Sequence, residues 1–404
     1  SDLAVRAVDI ILLFILSGCT WLIFKRFGKL VSWAGIVLFG LSYLQLGNIT
    51  FLQRDYFGMV PVVIAVTIAI SNLRIANSLK LVIIGILFGL SAIVKPPLSI
   101  GLPILIVFIS VNRFENYDKE SGQSILSVII KNGLLAMAGY IAVIAGTVFW
   151  LWIKGAIPYF RELVFTYMRL HLELTGDHHT ISKGSRILYN IRKYTELGGL
   201  TNWIIPAIMG IYISLFDKTL NPKQRRIIIL LAALTVAYSF YPVFSGQFWS
   251  YHWIPFHYLI VVTAGLIFIG FENNKHMIAK QFFQILIIAM TVVFSLGSVH
   301  LSIYNTIAHK NDSITFLLPK IRYADEIAHY LKSRLKPDDT VQSLDWGGPT
   351  HLAFLRTKAK LATPYYYDYY FYHHISHPYI QLIRRRFIDK LDQTKPRFIV
   401  NYNK

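Results

Sequence analysis

Long apolar runs separated by short polar breaks dominate this sequence and constrain its fold more than any other feature. A helix that crosses a bilayer needs about 20 predominantly apolar residues, or somewhat fewer inside a bundle. Lipid-exposed backbone must satisfy its own hydrogen bonds, so each run is predicted to form a helix. We count about ten such runs, at 8–24, 30–46, 57–73, 81–94, 98–111, 133–153, 200–216, 227–244, 253–271 and 282–299.

The composition agrees with a polytopic membrane protein. Of the 404 residues, 54% are hydrophobic and 15% are charged, and the mean hydropathy is +0.49. Soluble domains rarely combine such values. The net charge of +19 comes mainly from loops between apolar runs, which favours anionic lipid head groups or phosphate-bearing substrates as partners and not nucleic acid. The single Cys19 lies inside an apolar run, which excludes an intrachain disulfide framework and a cysteine metal cluster.

The loops on the two sides of the predicted bundle differ in charge. Those at 25–29, 74–80, 112–131, 217–226 and 272–280 are rich in Lys and Arg, whereas those at 47–56, 95–97 and 245–252 contribute only Arg54 and Lys95. The positive-inside rule places the basic set in the cytoplasm. The other set, the long segment 154–199 and the C-terminal region are then expected outside.

A change of composition after residue 299 predicts a second domain. Helices are predicted at 319–335, 350–356 and 378–391, strands at 340–344 and 397–401, and this alternation indicates a small α/β domain. We therefore assign 1–300 to a helical transmembrane domain and 301–404 to an extracytoplasmic α/β domain. The first includes an outer loop at about 154–199 with an amphipathic helix, which could lie on the membrane surface. Its apolar face comprises Phe160, Val164, Tyr167, Leu170 and Leu174.

The adjacent charges Arg54 and Asp55 stand at the edge of an apolar run. Arginine is suited to bidentate phosphate recognition, and Asp55 could orient that arginine, hold a metal or act as a base. The alternative is a structural ion pair, with Asp55 favouring a helix N-terminus. Lys95 precedes Pro96-Pro97, which end a helix; this break either borders a cavity or carries a snorkelling lysine.

Three further stretches carry candidate residues. The loop after residue 244 holds Gln247, Tyr251 and His252; the histidine could ligate a metal, bind phosphate or shuttle protons, or it could be structural. Asp177-His178-His179 suggests a metal site, although adjacent residues rarely chelate one ion together. The aromatic stretch 365–377 could bind sugar rings or form a core or an interface. We find no Walker loop, dinucleotide fingerprint, HExxH or GxSxG motif.

Four stretches in this order resemble a known family: SDLAVR before a span, FLQRDYFG in an outer loop, GLSAIVKPP at the end of a short span and GQFWSYHWIP in a late outer loop. They are similar to the membrane-embedded glycosyltransferases of the GT-C fold, near the dolichyl-phosphate-mannose-protein mannosyltransferase and aminoarabinose transferase group. The resemblance covers roughly residues 1–271, and its strength lies in order and topology, because each motif is degenerate.

The resemblance implies transfer of a sugar from a polyprenyl-phosphate carrier to a glycan, lipid or protein acceptor on the outer face. Arg54 and Lys95 would lie near the carrier phosphate, with Gln247, Tyr251 and His252 across the cavity. SDLAVR resembles the segment after the family's first outer loop, so the principal catalytic acid is expected before Ser1, with Asp55 at most an accessory.

A divalent metal stays an open question. The alternatives are a non-catalytic membrane subunit and a transporter or flippase for lipid-linked glycans. Short loops without disulfides favour a bacterial inner membrane.

Overall fold

The computed structural model describes residues 2–46, 52–115, 122–174, 180–195, 201–246, 248–269, 285–286, 288–289, 292–293, 319–344 and 349–401. The chain divides into two compact units. The first comprises Ser1–Ile157 and Ile181–Ser302, and the second comprises Pro158–Thr180 and Ile303–Lys404.

The first unit is helical throughout its described part. Its helices are α1 (Asp2–Phe24), α2 (Lys29–Leu46), α3 (Arg54–Ile70), α4 (Asn77–Val94), α5 (Leu102–Arg113), α6 (Ile125–Ile153), α9 (Arg186–Thr195), α10 (Thr201–Phe216), α11 (Pro222–Ser239), α12 (Tyr241–Ser245) and α13 (Ile254–Ala264). The segment between α6 and α9 carries α7 (Ile157–Glu162) and α8 (Met168–His171), most of which belongs to the second unit.

Six helical segments within the described ranges are long and apolar enough to cross a membrane: Ala7–Phe27, Asn77–Val94, Pro96–Arg113, Ile125–Ile153, Pro222–Phe244 and Ser250–Phe268. Lys29–Leu44 and Asn202–Phe216 are shorter apolar helices. This pattern is that of a helical membrane protein. The count of about ten spans stays a prediction, and most of the predicted run at 282–299 lies outside the described residues.

The helix α13 lies at the centre of this bundle. All of its residues are buried, and it packs against α2, α3, α10 and α11. A helix that is apolar on every side is expected to be surrounded by other helices. Two of its polar side chains bond to neighbouring helices: Tyr258 with Thr20 of α1 at 2.8 Å, and His257 with Ser42 of α2. These pairs fix the rotation of α13.

The helices α4 and α6 pack with their backbones in contact. A Cβ atom at Gly85 would lie 1.9 Å from the carbonyl oxygen of Ala136, and one at Gly139 would lie 2.1 Å from that of Val82. Apolar surface gives little drive to association within lipid, so close van der Waals contact between small residues takes its place. These two glycines therefore set the distance between α4 and α6.

The second unit contains a small parallel sheet with helices. Its strands are β1 (Thr340–Leu344), β2 (Lys360–Leu361) and β3 (Phe398–Asn401), in the order β2-β1-β3. Both pairings are parallel, with Val341 beside Leu361 on one side and Phe398 on the other. The helices are α14 (Pro319–Lys332), α15 (Pro349–Thr357) and α16 (Pro378–Thr394). The predicted alternation of helices and strands is confirmed, with β2 as the strand that the sequence analysis missed.

The amphipathic segment of the outer loop belongs to this second unit. Its residues 163–167 form a π-helical turn. Four of the five residues of the predicted apolar face are buried or half-buried, and Phe160 is exposed. The Tyr167 ring meets that of Tyr370 at 4.9 Å, and Leu170 packs against the cluster around Phe371. This part of the predicted face therefore packs on protein, whereas the sequence allowed for it to lie on the membrane surface.

The contact between α4 and α6 generates a stability prediction. Gly139→Ala should lower the free energy of unfolding by about 1–3 kcal/mol, because the added methyl group collides with backbone that cannot move alone. Gly133→Ala on the same helix is the matched control, since a Cβ there meets nothing within 4 Å and alanine favours a helix. The measurement is unfolding in mixed micelles with SDS. Equal effects of the two substitutions would contradict the close packing.

Candidate functional site

The structure brings five of the six predicted site residues to one end of the first unit. Arg54 and Asp55 begin α3, Lys95 ends α4, and Tyr251 and His252 lie in the short 3-10 helix Ser250–Trp253 before α13. Tyr241, the first residue of α12, joins them. We call these six residues, Arg54, Asp55, Lys95, Tyr241, Tyr251 and His252, the Asp55 cluster. The remaining predicted residue, Gln247, lies outside the described residues.

Asp55 is the centre of this cluster. Its side chain is completely buried, and both carboxylate oxygens accept hydrogen bonds from the Lys95 ammonium at 2.9 Å. The Tyr241 hydroxyl donates to one of the same oxygens at 2.5 Å. A buried carboxylate is tolerable when it is paired and hydrogen-bonded in this way. The position in the first turn of α3 adds the favourable end of the helix dipole.

Lys95 reaches Asp55 because the following prolines stop α4. A residue before proline avoids the helical conformation, and Lys95 is accordingly extended, with φ −158° and ψ 107°. Pro96 and Pro97 then begin the 3-10 helix Pro96–Gly101. Burial lowers the pKa of the Lys95 ammonium, while the charge and hydrogen bonds of Asp55 act in the opposite direction. The helix break predicted at this position is confirmed.

Aromatic rings enclose the Lys95 ammonium. The nitrogen lies 5.4 Å from the ring centres of both Tyr241 and Tyr251, which is within the range of cation–π attraction. The His252 ring is buried and meets Tyr251 edge to face at 4.7 Å. His252 is thus part of the wall of the cluster and does not project from a loop.

Arg54 is the exposed cation of the Asp55 cluster. Its side chain is accessible, and it interacts electrostatically with the Tyr251 hydroxyl. A guanidinium has five donor hydrogens, so Arg54 retains capacity for a ligand. The arrangement therefore combines a buried, fully paired carboxylate with an accessible arginine directly beside it.

A left-handed turn at Gly246 supports the loop that carries Tyr251 and His252. Gly246 has φ +68°, and the Arg186 guanidinium occupies the space where a Cβ atom would stand, at 2.3 Å. The Arg186 side chain donates to the carbonyls of Ile181 at 2.9 Å and Val243 at 3.4 Å, and the Ile181 amide donates to the Gly246 carbonyl at 2.9 Å. A side chain at this glycine would strain the backbone and displace the arginine.

A second buried carboxylate, Asp9, was missed by the sequence analysis. It lies near the start of α1 and is 5% exposed. It accepts a hydrogen bond from the Tyr43 hydroxyl of α2 and one at 3.4 Å from the Leu52 amide, two residues before α3. The available signal was a lone acidic residue inside an apolar run, which is costly unless paired or functional. Asp9 therefore ties α1 and α2 to the turn that presents Arg54.

Tyr56 lies between the two carboxylate sites. Its ring is 5.4 Å from that of Tyr43, and its hydroxyl is buried without a hydrogen-bond partner among the described residues. A buried unpaired hydroxyl is unusual in a folded protein. Within the described part of the chain, the Tyr56 hydroxyl is therefore a free polar group, buried next to Asp55.

Two other stretches were predicted as candidate sites. Asp177-His178-His179 lies outside the described residues, and within the described ranges no group of three His, Cys, Asp or Glu residues could hold a metal ion. In the stretch 365–377, the rings of Tyr365 and Phe371 pack at 5.4 Å and both contact Phe387 of α16. The core interpretation of these two aromatic residues is thereby favoured over sugar binding.

Comparisons with protein-family models, with curated proteins and with solved structures found no match to this chain. The resemblance drawn from the sequence motifs accordingly stays a prediction, and function is argued below from the geometry of the Asp55 cluster.

The buried pair at the centre of the cluster generates a second stability prediction. Asp55→Asn should lower the free energy of unfolding by about 3–5 kcal/mol, because it leaves the Lys95 ammonium without its counter-charge. The double variant Asp55→Asn/Lys95→Met removes both charges and should regain a large part of this loss. A double variant that is as unstable as the sum of the single variants would contradict the coupling.

Glu115→Gln is the matched control for this experiment. It removes the ion pair between Glu115 and Arg226 in the same unit, where the Glu115 side chain is 51% exposed. An exposed pair contributes about 0–1 kcal/mol, so the control should change unfolding little.

Proposed function

We propose that this chain is a membrane-embedded glycosyltransferase of the GT-C type. It transfers a sugar from a polyprenyl-phosphate carrier to an acceptor hydroxyl at the membrane surface. The observation that carries this proposal is an accessible arginine beside a buried, fully paired Asp–Lys–Tyr group at one end of an apolar helix bundle. A lipid-linked phosphate presents its negative charge at that depth, between the hydrocarbon core and water.

The reaction needs fixed positive charge where the carrier phosphate leaves. The acceptor oxygen forms a bond to the anomeric carbon of the sugar. The bond between that carbon and the phosphate oxygen breaks, and the electron pair stays on the phosphate. Arg54 stabilises this developing charge with two parallel hydrogen bonds, a geometry that guanidinium and phosphate share. The acceptor proton goes to a carboxylate base.

Asp55 acts in this proposal by positioning and not as a base. Both of its oxygens already accept hydrogen bonds, and its side chain has no exposed surface. It holds the Lys95 ammonium at a fixed place, so that Arg54 acts on the phosphate beside a preorganised ion pair without a reorganisation cost. Tyr251 lies near both cations, because its hydroxyl interacts electrostatically with Arg54 and its ring faces Lys95.

The remaining features of the proposal follow from topology. The membrane domain has about ten spans, the basic loops face the cytoplasm, and the Asp55 cluster faces the outside together with the α/β unit. The compartment is a bacterial periplasm. Tyr251 and His252 line the carrier site, Gln247 is a predicted contact of the carrier, and the acceptor is a glycan, a lipid or a protein.

The test is the binding of undecaprenyl phosphate, the carrier product of such a transfer, to the full-length protein. Arg54→Ala should weaken this binding about tenfold to a hundredfold, which corresponds to the loss of charged hydrogen bonds worth roughly 1.5–3 kcal/mol. Arg54→Lys keeps the positive charge but loses the paired hydrogen bonds of the guanidinium. It should therefore bind more tightly than Arg54→Ala and more weakly than the unaltered protein. The measurement is a native mass spectrometry titration in an uncharged detergent.

Arg74→Ala is the matched control, since Arg74 is an exposed arginine in the turn between α3 and α4, at the other end of α3. Equal affinity of the Arg54→Ala variant and the unaltered protein would refute the phosphate role. Turnover with polyprenyl-phosphate-linked sugars then separates the alternatives: binding that depends on Arg54 without any transfer would favour a non-catalytic subunit or a flippase.

A further inference from the structure

A second polar site lies at the opposite end of the first unit. The helix α3 begins at the Asp55 cluster and ends at Ile70, and α4 runs back from Asn77 to the cluster. Around the far ends of these helices, together with the ends of α5, α6 and α11, is a cavity of about 880 Å³. We call it the basic cavity.

Five cationic side chains line the basic cavity. They come from four helices that are far apart in the sequence, and no Asp or Glu is among the described residues of the lining. One carboxylate, Glu115, stands beside the cavity and pairs with one of the five. The five cations are Lys80, Arg113, Lys131, Lys223 and Arg226.

Some of these cations serve the fold. The Lys80 ammonium donates to the carbonyls of Ala69 at 2.9 Å and Ser71 at 3.1 Å, which are among the free carbonyls at the end of α3. Lys223 uses one hydrogen bond, at 2.8 Å, to Asn72. For Lys131, which is exposed, no described residue is a hydrogen-bond or ion-pair partner. Lys131 and Lys223 therefore retain donor capacity at the cavity.

An unpaired donor also lines the cavity. The side-chain amide nitrogen of Asn77 is buried and has no hydrogen-bond partner among the described residues. Asn77 is the first residue of α4, and the preceding Ala76 supplies no side-chain cap. The amides of the first helical turn are thus also without a capping side chain. A buried donor without an acceptor is costly and is satisfied when an anion binds at such a helix start.

We propose that the basic cavity binds a phosphate-bearing anion. The lining offers ammonium, guanidinium and amide donors, which match a phosphate group, and the volume lies in the range of small-molecule sites, roughly 300–1,000 Å³. Two sources share this chemistry: the head group of an anionic phospholipid and a soluble phosphorylated molecule. This site is separate from the carrier site, because α3 alone separates the two ends by about 25 Å.

The positive-inside rule explains why basic residues occur at this end of the bundle. It does not explain why five of them, from four helices, line one cavity. A topological signal needs only cationic loops, as at Lys25 and Lys29, which are exposed and do not line the cavity. These two lysines consequently provide a matched comparison, with the same charge at the same end of the bundle.

The experiment compares Lys131→Gln/Lys223→Gln with Lys25→Gln/Lys29→Gln in full-length protein delipidated in an uncharged detergent. The probes are inorganic pyrophosphate, followed by calorimetry, and phosphatidylglycerol, followed by native mass spectrometry with phosphatidylcholine as the neutral lipid. The cavity variant should bind a probe at least about tenfold more weakly than the unaltered protein, as expected for the loss of two charge-assisted contacts. The control should stay within about twofold, since separated exposed charges are screened.

Binding of phosphatidylglycerol alone identifies a lipid head group, and binding of pyrophosphate identifies a soluble ligand. The proposal fails if neither probe binds, or if the cavity variant and the control lose affinity equally, which would indicate unspecific attraction to a basic surface. Asn77→Asp is an independent test, because it places a carboxylate at the unpaired donor with little change of volume and should also weaken binding. Unchanged melting temperatures of all three variants exclude misfolding.

Discussion

The buried ion pair between Asp55 and Lys95 is the interaction on which one end of the bundle depends. A carboxylate without any exposed surface requires compensation on both oxygens, and among the described residues the end of α4 and the start of α12 supply it. The pair therefore fixes three helix ends at one point. Arg54, the residue immediately before Asp55, stays exposed beside buried charges that are already paired.

The two ends of the first unit treat charge in different ways. At the Asp55 cluster the buried charges are balanced, and the polar groups hold one another in place. At the basic cavity cations exceed carboxylates, and part of the donor capacity is unused. The helices between the two ends are apolar and are held by close packing. The glycine contacts between α4 and α6 are an example. Paired charges hold each other in place, as in the Asp55 cluster. A surplus of cations, as in the basic cavity, attracts a ligand of negative charge.

Sequence patterns predicted the secondary structure well where interactions between residues close in the chain determine it. The alternation of helices and strands in the second unit was predicted, because periodicity and prolines such as Pro378 act within a few residues. The apolar face of the segment 158–174 was predicted in large part, since Phe160 is the one exposed residue of the five. The partner of this face was not predicted, because Tyr167 contacts Tyr370, which is about two hundred residues away in the chain.

The sequence by itself determined a helical membrane architecture and the break at Lys95, and it selected Arg54 and Asp55 as candidate residues, since apolar length, proline and isolated charge are local properties. Only the tertiary structure decided that Asp55 is paired with Lys95 and Tyr241 while Arg54 stays accessible. It also revealed Asp9 and the basic cavity. Burial and pairing depend on which helices meet, and in a bundle those contacts join residues that no sequence period connects.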